Sequence, residues 1–359
     1  MHTASFIERH FNFIESMAGK LTYKQEMWHM EPVKWGIIGP GNIARDFVSD
    51  LAFVKTPQQV VAVLGKSKKS TIEFASTYNI PHTFFEIDEF IAKGNMDVVY
   101  VATPHTLHHE QVMKCLQSRL PVLCEKPLTI NETQCKELVD ASRTTQTFLM
   151  EGMWIRFLPG IRLVMSLLNE GKIGKIVSIR ASMGYKAPPG PESRRYFDPA
   201  LGGGSLLDLG VYPVFLALLL LGVPDTIKAV GTLSEEGVDE TCSMLFHYNK
   251  GQHATLESSL KSETKLPVEI AGEKGTIKIL YPWFEKTPGI ELQFYNEEPV
   301  TYPIQWEGHG LYFETEEVLS CIQNNQIESK LLSHAFSIEL IKIMDEIRSQ
   351  VKVSYTMHE

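Results

Sequence analysis

The chain has 359 residues, enough for two domains of ordinary size; 43% of them are hydrophobic and 21% charged, a balance typical of globular proteins. The formal net charge is −9, which argues against broad binding to nucleic acids or anionic membranes, because both need basic surfaces. The cysteines show no CxxC spacing, so we expect buried free thiols in a reducing, cytoplasmic setting and neither a disulfide framework nor a zinc knuckle. They are Cys115, Cys124, Cys135, Cys242 and Cys321.

The first thirty residues mix charged and aromatic side chains without a continuous apolar stretch, so they resemble neither an export signal nor a membrane helix. We treat residues 1–30 as an N-terminal extension of unknown role. The most apolar run lies at 211–223 and is shorter than the roughly 20 residues that span a bilayer. We therefore expect it to form a buried core helix.

Residues 31–152 alternate short apolar runs with helical patterns. The strand-like runs are 33–38, 60–64, 97–102, 121–124 and 147–150, with a weaker one at 83–85. The helical patterns lie at 43–51, 69–78, 87–93, 107–118 and 132–143. Strands that are apolar throughout and alternate with helices indicate a parallel sheet covered on both faces. The sequence thus predicts an α/β Rossmann domain, a doubly wound parallel sheet, over residues 31–152.

A glycine-rich turn follows the first predicted strand, where residues 39–44 read G-P-G-N-I-A, a GxGxxA pattern. Here Gly39 permits a tight turn, Gly41 lets the backbone approach a pyrophosphate, and Ala44 lets the helix pack on the strand. The helix N-terminus then directs free N–H groups at the phosphates. The predicted dinucleotide-binding residues of this turn are Gly39, Gly41, Asn42, Ile43 and Ala44.

The end of the second predicted strand bears on the choice of cofactor. An NAD site usually places an acidic residue here to hold the ribose hydroxyls, but none occurs before Glu73. Lys66, Ser67 and Lys68 stand there instead and suit a 2′-phosphate, so NADP is expected rather than NAD. The alternative is an ordinary solvated run of charge at the start of a helix.

The end of the fourth predicted strand offers further contacts. Thr103 and Pro104 follow it, and ligands bind at the carboxyl ends of the strands in open α/β sheets. His108 opens the next helix and is added to the cofactor-binding set. No metal site is expected, because the pattern lacks carboxylate or thiolate partners and hydride transfer needs no metal.

After residue 153 the pattern changes. A helix at 158–170 and a strand at 175–185 precede a Pro/Gly/Arg-rich loop at 186–204, which either covers a substrate or is plain surface. Strand patterns then follow one another without helices between them, before helices at 311–324 and 333–350. They lie at 226–233, 240–248, 253–260, 267–271, 276–280 and 291–295. We predict an α+β domain over residues 153–359, with a large, mostly antiparallel open sheet; substrate binding and dimerisation by this domain are what the resemblance of its motifs to a known family implies.

Several motifs, taken in order, resemble one known family. They are the GxGxxA turn, A-T-P at 102–104, C-E-K-P at 124–127 and G-G-G-S-L-L-D-L-G-V-Y-P at 202–213. Together they resemble the glucose–fructose oxidoreductase / inositol dehydrogenase / MocA (Gfo/Idh/MocA) family. The segment M-E-G-M-W-I-R-F-L-P at 150–159 and the tyrosine at 212 are similar to its dimeric dihydrodiol dehydrogenase / NADP-dependent xylose dehydrogenase branch. The resemblance implies a Rossmann domain and an open-sheet domain whose outer face commonly dimerises.

The same resemblance implies a catalytic set. It places Lys126 beside a nicotinamide and projects Asp208 and Tyr212 from the buried helix, where a spacing of four also puts them on one face. A free tyrosine has a pKa near 10, and a nearby ammonium lowers it. We therefore expect Tyr212 to be the acid/base, Lys126 its electrostatic partner and a substrate anchor, and Asp208 to orient either substrate hydroxyls or Lys126. From the pattern alone, Tyr212 as a core aromatic and Lys126 as a surface charge remain open.

Three more residues join the cofactor-binding set through the resembling segments. Glu125 precedes Lys126, while Trp154 and Arg156 are expected to line the mouth between the domains; core packing is the alternative for Trp154. The sequence thus predicts an NADP-dependent dehydrogenase that transfers a hydride between nicotinamide and a sugar or vicinal-diol carbon. We expect a cytoplasmic homodimer without nucleic-acid or membrane partners. The alternatives are a reductase of a ketose or an imine, a non-enzymatic NADP sensor, or a dimeric structural partner.

Overall fold

Two sheets organise the part of the chain that the computed structural model describes, residues 31–355. Residues 1–30, which hold the predicted N-terminal extension, and residues 356–359 lie outside the described residues. Both predicted sheet types are present, so the fold-class prediction is confirmed.

The first sheet is parallel and has six strands among residues 31–355. They are β1 (Val33–Ile38), β2 (Gln58–Leu64), β3 (His82–Phe84), β4 (Val98–Val101), β5 (Val122–Glu125) and β6 (Leu149–Gly152). Its helices are α1 (Asn42–Asp50), α2 (Lys68–Tyr78), α3 (Ile87–Lys93), α4 (His108–Gln117) and α5 (Glu132–Thr145). The strand order β3-β2-β1-β4-β5-β6 reverses direction at β1 and β4, which opens a crevice at their carboxyl ends.

The second sheet has eight strands among the same residues, in the order β14-β13-β12-β11-β7-β10-β9-β8. Only the β7–β10 pair among these described strands is parallel. The strands are β7 (Ile176–Gly184), β8 (Thr226–Leu233), β9 (Asp239–His247), β10 (His253–Ser259), β11 (Val268–Gly272), β12 (Gly275–Ile279), β13 (Gly289–Phe294) and β14 (Val300–Pro303). The remaining helices are α6 (Pro159–Asn169), α7 (Arg194–Phe197), α8 (Val211–Leu221), α9 (Tyr312–Gln323) and α10 (His334–Val351). The sequence analysis missed α7 and β14.

The last helix, α10, binds both sheets together. Its Ser337 hydroxyl donates to Glu151 Oε2 of β6 at 2.6 Å, and its Gln350 side chain donates to the Ile227 carbonyl of β8 at 3.0 Å. The helix therefore contacts both predicted domains, although the sequence analysis assigned it wholly to the second. The boundary between residues 152 and 153 stays a prediction.

The apolar run at 211–223 contains the whole of α8, which is packed in the interior. All side chains from Val211 to Leu218 are buried, as expected of a core helix. The segment Pro199–Leu221, 23 residues with a mean hydropathy of 2.0, is long and apolar enough to cross a membrane by length and composition, although residues 202–204 interrupt its helical structure. However, 78% of its most apolar window is buried inside the protein, and core helices pass the same test.

Candidate active site

The glycine turn after β1 leaves the N-terminus of α1 open for a phosphate. Gly39 has a φ of +93°, and a Cβ there would lie 2.7 Å from the Ala102 carbonyl oxygen, so this position requires glycine. Gly41 precedes the first helical residue, and no side chain caps the helix. A Cβ on Gly41 would meet nothing closer than 4.0 Å. The space above Gly41 and the uncapped N–H groups fit a dinucleotide pyrophosphate.

The residues expected to hold a 2′-phosphate lie at the end of β2. Lys66 and Ser67 are both exposed, and Ser67 is the N-cap of α2, where its hydroxyl accepts the Ser70 N–H at 3.4 Å. A second helix N-terminus therefore stands next to a lysine at this edge of the sheet. This arrangement suits an anion.

A cavity of about 820 Å³ opens between the two sheets at the carboxyl ends of β1, β4 and β5. Ten of the predicted site residues line it: Gly41, Asn42, Ile43, Thr103, Pro104, Glu125, Lys126, Trp154, Asp208 and Tyr212. The predicted residues that do not line it are Gly39, Ala44, Lys66, Ser67, His108 and Arg156. Further lining residues outside the predicted site set include His105, Met183, Tyr185, Arg195, Tyr196, Glu263, Lys265, Tyr281, Phe284 and Glu285; of these, Arg195 and Tyr196 lie in the 186–204 loop that was considered as a cover for the substrate.

The predicted catalytic residues meet at one point of this cavity. Lys126 Nζ donates to the Asp208 backbone carbonyl at 2.6 Å and lies 3.6 Å from Asp208 Oδ1. The same ammonium lies 4.6 Å from the centroid of the Tyr212 ring. The Tyr212 hydroxyl oxygen accepts the Trp154 indole N–H at 3.0 Å. Three polar side chains thus converge on the inner wall, and the indole fixes the phenol oxygen.

The backbone that carries Asp208 and Tyr212 is not one regular helix. Residues Leu206–Gly210 form a π-helical turn that leads into α8, so the predicted shared face of an α-helix is replaced by a wider turn. Such turns often occur at functional sites. Pro213 has no N–H and so cannot donate a helical hydrogen bond to a carbonyl of this turn. Asp208 and Tyr212 both face the cavity all the same.

A buried carboxylate anchors this turn. Asp239 Oδ2, on β9, accepts the Ser205 hydroxyl at 2.6 Å and the Leu206 N–H at 2.7 Å. Gly204 has a φ of +117°, and a Cβ there would lie 2.5 Å from Asp239 Oδ1. Burial raises the pKa of Asp239 to about 6. The glycines of the 202–204 segment thus allow the start of the helix to dock on β9.

The charges in the cluster follow from burial and proximity. Burial disfavours the ammonium of Lys126 and would lower its pKa. The electrostatic attraction of Tyr212, Asp208 and Glu125 outweighs this effect of burial, so the pKa of Lys126 is raised. Burial likewise disfavours the Asp208 carboxylate, but Lys126, Arg195 and His105 hold its pKa below the usual value. Lys126 is therefore protonated and Asp208 ionised at neutral pH.

The pKa of Tyr212 differs from our expectation. Burial raises it, and the attraction of Lys126 is too weak to reverse that effect. The sequence analysis expected Lys126 to lower the Tyr212 pKa below its ordinary value; the pattern placed Tyr212 in a buried helix but could not show that burial would outweigh the attraction of Lys126. The phenol is therefore protonated at neutral pH in this state of the protein.

The structure corrects the expected cofactor contact of His108. Its side chain is fully buried, and its ring nitrogens lie 2.9 Å from the carbonyl oxygens of Pro127 and Thr103. Burial lowers its pKa, so the ring is neutral; its single N–H donates to one of these two carbonyls, and the ring fills the space between the segments after β4 and β5. His105 lines the cavity instead, with Nδ1 3.0 Å from the Gly202 carbonyl oxygen; burial lowers the pKa of His105 to about 3.

Arg156 also differs from its predicted place at the mouth of the cavity. Its Nε donates to the Leu331 carbonyl at 2.9 Å, so the guanidinium holds the segment before α10. Trp154, two residues earlier, does line the cavity. Both residues lie in the short helical turn Trp154–Phe157, whose sequence does not reveal which way each side chain points. Among residues 31–355, no three His, Cys, Asp or Glu side chains gather as metal ligands would.

Comparisons with known proteins agree on the type of protein. Residues 33–153 match the family model described as an oxidoreductase family with an NAD-binding Rossmann fold, and residues 161–278 match the GFO/IDH/MocA C-terminal domain. The trans-1,2-dihydrobenzene-1,2-diol dehydrogenase of Xenopus laevis is 36% identical over 337 residues, covering 90% of this chain and 99% of that protein. The human protein of the same name is 30% identical over 331 residues, covering 90% and 98%.

Solved structures share the fold. An aldose-aldose oxidoreductase from Caulobacter crescentus complexed with glycerol superposes with a TM-score of 0.81 at 20% identity, covering 90% of this chain and 98% of that chain. A levoglucosan dehydrogenase in complex with NADH and levoglucosan gives 0.79 at 18% identity, with the same coverage. A 3-ketoreductase from Actinomadura kijaniata in complex with NADP and TDP-benzene gives 0.78 at 24% identity, covering 89% and 98%.

Proposed function

The chain belongs to the Gfo/Idh/MocA oxidoreductase family and is a dehydrogenase with a nicotinamide-binding Rossmann domain; we propose that it transfers a hydride between NADP and a carbinol carbon of a sugar or cyclic vicinal diol. In this proposal Tyr212 is the acid/base, Lys126 its electrostatic partner, and Asp208 the residue that orients substrate hydroxyls.

One observation carries the proposal. The cavity holds an open phosphate-binding helix N-terminus at Gly41 and, on its inner wall, the cluster of Lys126, Asp208 and Tyr212. A dinucleotide seated on that N-terminus by its pyrophosphate extends along the carboxyl edge of the sheet. Lys126 follows β5 at this edge, so the cluster borders the place where a carbinol carbon could react.

The protein groups of this cluster can move the required proton. In carbonyl reduction, the protonated Tyr212 hydroxyl donates its proton to the nascent alkoxide. In alcohol oxidation, the Tyr212 phenolate takes the hydroxyl proton, and both Lys126 and the Trp154 N–H stabilise that phenolate. A bound nicotinamide would supply the hydride or accept it. Since burial raises the pKa of Tyr212, oxidation should quicken as pH rises.

Asp208 contributes charge and direction. Its carboxylate is ionised and half-buried, and it can accept a hydrogen bond from a substrate hydroxyl while Lys126 fixes its backbone carbonyl. A hydroxyl held by Asp208 would lie close to Tyr212, because both side chains line the same cavity wall. A substrate with two adjacent hydroxyls meets this arrangement best.

The proposed preference for NADP rests on Lys66, Ser67 and the N-terminus of α2. Among the solved relatives, the levoglucosan dehydrogenase is described with NADH and the ketoreductase with NADP. The similar structures are thus described with different nicotinamides. The charge at the end of β2 is therefore the feature that supports NADP for this chain.

We also propose a cytoplasmic homodimer formed through the outer face of the second sheet. Val230 on β8 is 72% exposed and Leu245 on β9 is 47% exposed, and strand register places them on one face with Lys228 and Ser243. Apolar side chains on an open sheet face favour self-association. Light scattering of the purified protein distinguishes a dimer from a monomer, and Leu245→Lys should shift the mass toward that of the monomer.

The activity is tested by following the absorbance of reduced nicotinamide. Purified protein is mixed with NADP or NAD and a panel of aldoses, polyols and cyclic diols, and thermal stabilisation by each cofactor is measured in parallel. Reduction of NADP by one sugar or diol class supports the proposal. Stabilisation by NADP without turnover on any substrate contradicts the proposed substrate class.

A further inference from the structure

Arg195 is a cation at the mouth of the cavity that the proposed mechanism does not use. It lies on α7, within the loop between β7 and α8. Its Nη2 is 3.5 Å from Asp208 Oδ2, whereas Lys126 approaches the other oxygen, Oδ1, at 3.6 Å. The two oxygens of Asp208 therefore face two different cations.

The loop that carries Arg195 is held from both sides of the cavity. On one side, the Gly204 N–H donates to the Tyr196 carbonyl at 2.8 Å. On the other, the Thr106 hydroxyl, which follows β4, donates to the Ala200 carbonyl at 2.8 Å. The guanidinium of Arg195 also lies 4.3 Å from the centroid of the Tyr196 ring. Its position over the cavity is thus set by several contacts.

The neighbouring arginine shows that this placement is specific. Arg194 lies on the same short helix and is similarly exposed, at 75% of its side chain against 65% for Arg195. Its Nε pairs with Asp198 Oδ2 at 2.9 Å, and it does not line the cavity. One arginine is therefore engaged on the loop itself, while the other presents its N–H groups to the cavity.

The pairing of Arg195 with Asp208 has the chemistry of a hydroxyl-binding site. A guanidinium only donates hydrogen bonds and an ionised carboxylate only accepts them, whereas a hydroxyl does both. A hydroxyl placed between Arg195 and Asp208 could accept from the one and donate to the other. Both side chains retain accessible surface in the cavity, so a substrate can reach them.

We infer that Arg195 is a specificity-determining residue which, together with Asp208, binds the hydroxyl next to the reacting carbon of a vicinal diol. This inference rests on the proposed function and narrows its substrate class to compounds with two adjacent hydroxyls. The first hydroxyl faces Tyr212, and the second bridges Arg195 and Asp208. A substrate without the second hydroxyl forgoes one hydrogen bond from a charged donor and one to a charged acceptor, so it should react with a lower kcat/KM.

The test compares a cyclic vicinal diol, trans-1,2-cyclohexanediol, with its monohydroxy analogue, cyclohexanol. The ratio of their kcat/KM values is measured for the wild type, for Arg195→Gln and for the matched control Arg194→Gln. Loss of a hydrogen bond to a charged group should lower the diol preference of Arg195→Gln by roughly 10- to 100-fold. Arg194→Gln should keep the ratio of the wild type. Thermal midpoints of all three proteins check that each is folded.

The outcomes separate this inference from the proposed function. Three results would overturn the inference alone. They are an Arg195→Gln enzyme that keeps the diol preference, an Arg194→Gln enzyme that loses as much of the diol preference as Arg195→Gln, and a wild type that does not prefer the diol to cyclohexanol. A wild type that reduces no cofactor with any diol or sugar overturns the proposed function and this inference together. Arg195→Lys, which keeps the charge but loses the planar fork of donors, should fall between the wild type and Arg195→Gln.

Discussion

The ammonium of Lys126 faces the ring of Tyr212, with Nζ 4.6 Å from the ring centroid. Its hydrogen bond goes to the backbone carbonyl of Asp208 at 2.6 Å. Lys126 therefore acts on Tyr212 through space, by attraction to the ring and to any negative charge on the phenol. Because burial outweighs this attraction, the pKa of Tyr212 is raised. The cluster is thus ready to donate a proton at neutral pH and needs higher pH to accept one.

Removal of the Tyr212 hydroxyl should separate catalysis from cofactor binding. Tyr212→Phe keeps the ring that lies under Lys126 but loses the proton donor, so turnover should fall by about 10²–10⁴-fold. Cofactor affinity, measured by tryptophan fluorescence, should stay near that of the wild type. The control Tyr281→Phe removes a hydroxyl from another cavity-lining tyrosine and should have little effect. Unchanged turnover in Tyr212→Phe would exclude the proposed acid/base role.

The two glycines of the phosphate turn should respond differently to alanine. In Gly39→Ala the added Cβ meets a backbone carbonyl and φ is positive. The free energy of unfolding should therefore fall by more than about 1 kcal/mol, and the thermal midpoint should fall with it. In Gly41→Ala the Cβ meets no protein atom closer than 4.0 Å, but it would occupy the proposed path of the pyrophosphate. Its midpoint should stay near that of the wild type while its Kd for cofactor rises. Normal cofactor binding by Gly41→Ala would contradict the assigned phosphate site.

Reversal of the charge at Lys66 tests the cofactor preference. Lys66→Asp replaces an exposed cation at the end of β2 with an anion that repels a 2′-phosphate and can accept from ribose hydroxyls. The ratio of kcat/KM for NADP over NAD should fall. Lys250→Asp makes the same change in an exposed turn between β9 and β10 and serves as the control. If the ratio of kcat/KM for NADP over NAD is the same in Lys66→Asp as in Lys250→Asp, the 2′-phosphate is bound elsewhere.

Asp239 should make stability depend on pH in a defined direction. Its folded pKa, about 6, lies above the ordinary value of 3.8, so between these values the folded protein holds a proton that the unfolded chain lacks. The contribution of Asp239 to stability therefore falls as pH rises through this window. Between pH 4.5 and pH 7.5 the free energy of unfolding of the wild type should fall by on the order of 2 kcal/mol relative to that of Asp239→Asn. Urea denaturation at both pH values measures this; a pH-independent difference would refute it.

The fold was predictable because its signals are local. Apolar runs between helical patterns mark the strands of a parallel sheet, and the GxGxxA turn marks where the chain leaves β1. The strand predicted at 121–124 is observed at Val122–Glu125, and the helix predicted at 333–350 is observed at His334–Val351. The strand β14 was missed because Val300–Pro303 is short and carries no clear alternation.

The site was predictable only where a motif fixed it. Lys126, Asp208 and Tyr212 lie in motifs and meet in the cavity, whereas the directions of His108 and Arg156 depend on distant backbone carbonyls, those of Pro127 and Leu331. No local pattern reveals such partners. Asp239 was missed for the same reason, and Arg195 was placed only in a loop that either covers the substrate or is plain surface, since each acts on the 205–208 turn from a separate segment. The roles of all these residues stay predictions that the variants above can test.

Transfer of a label tests the central claim most directly. A cyclic vicinal diol carrying deuterium on both carbinol carbons is incubated with the protein and NADP, and the reduced cofactor is examined by mass spectrometry. We expect one deuterium in each reduced nicotinamide, formed by the wild type and at a far lower rate by Tyr212→Phe. Reduced cofactor without deuterium, or no reduction with any labelled diol or sugar, would contradict hydride transfer from a carbinol carbon in this cavity.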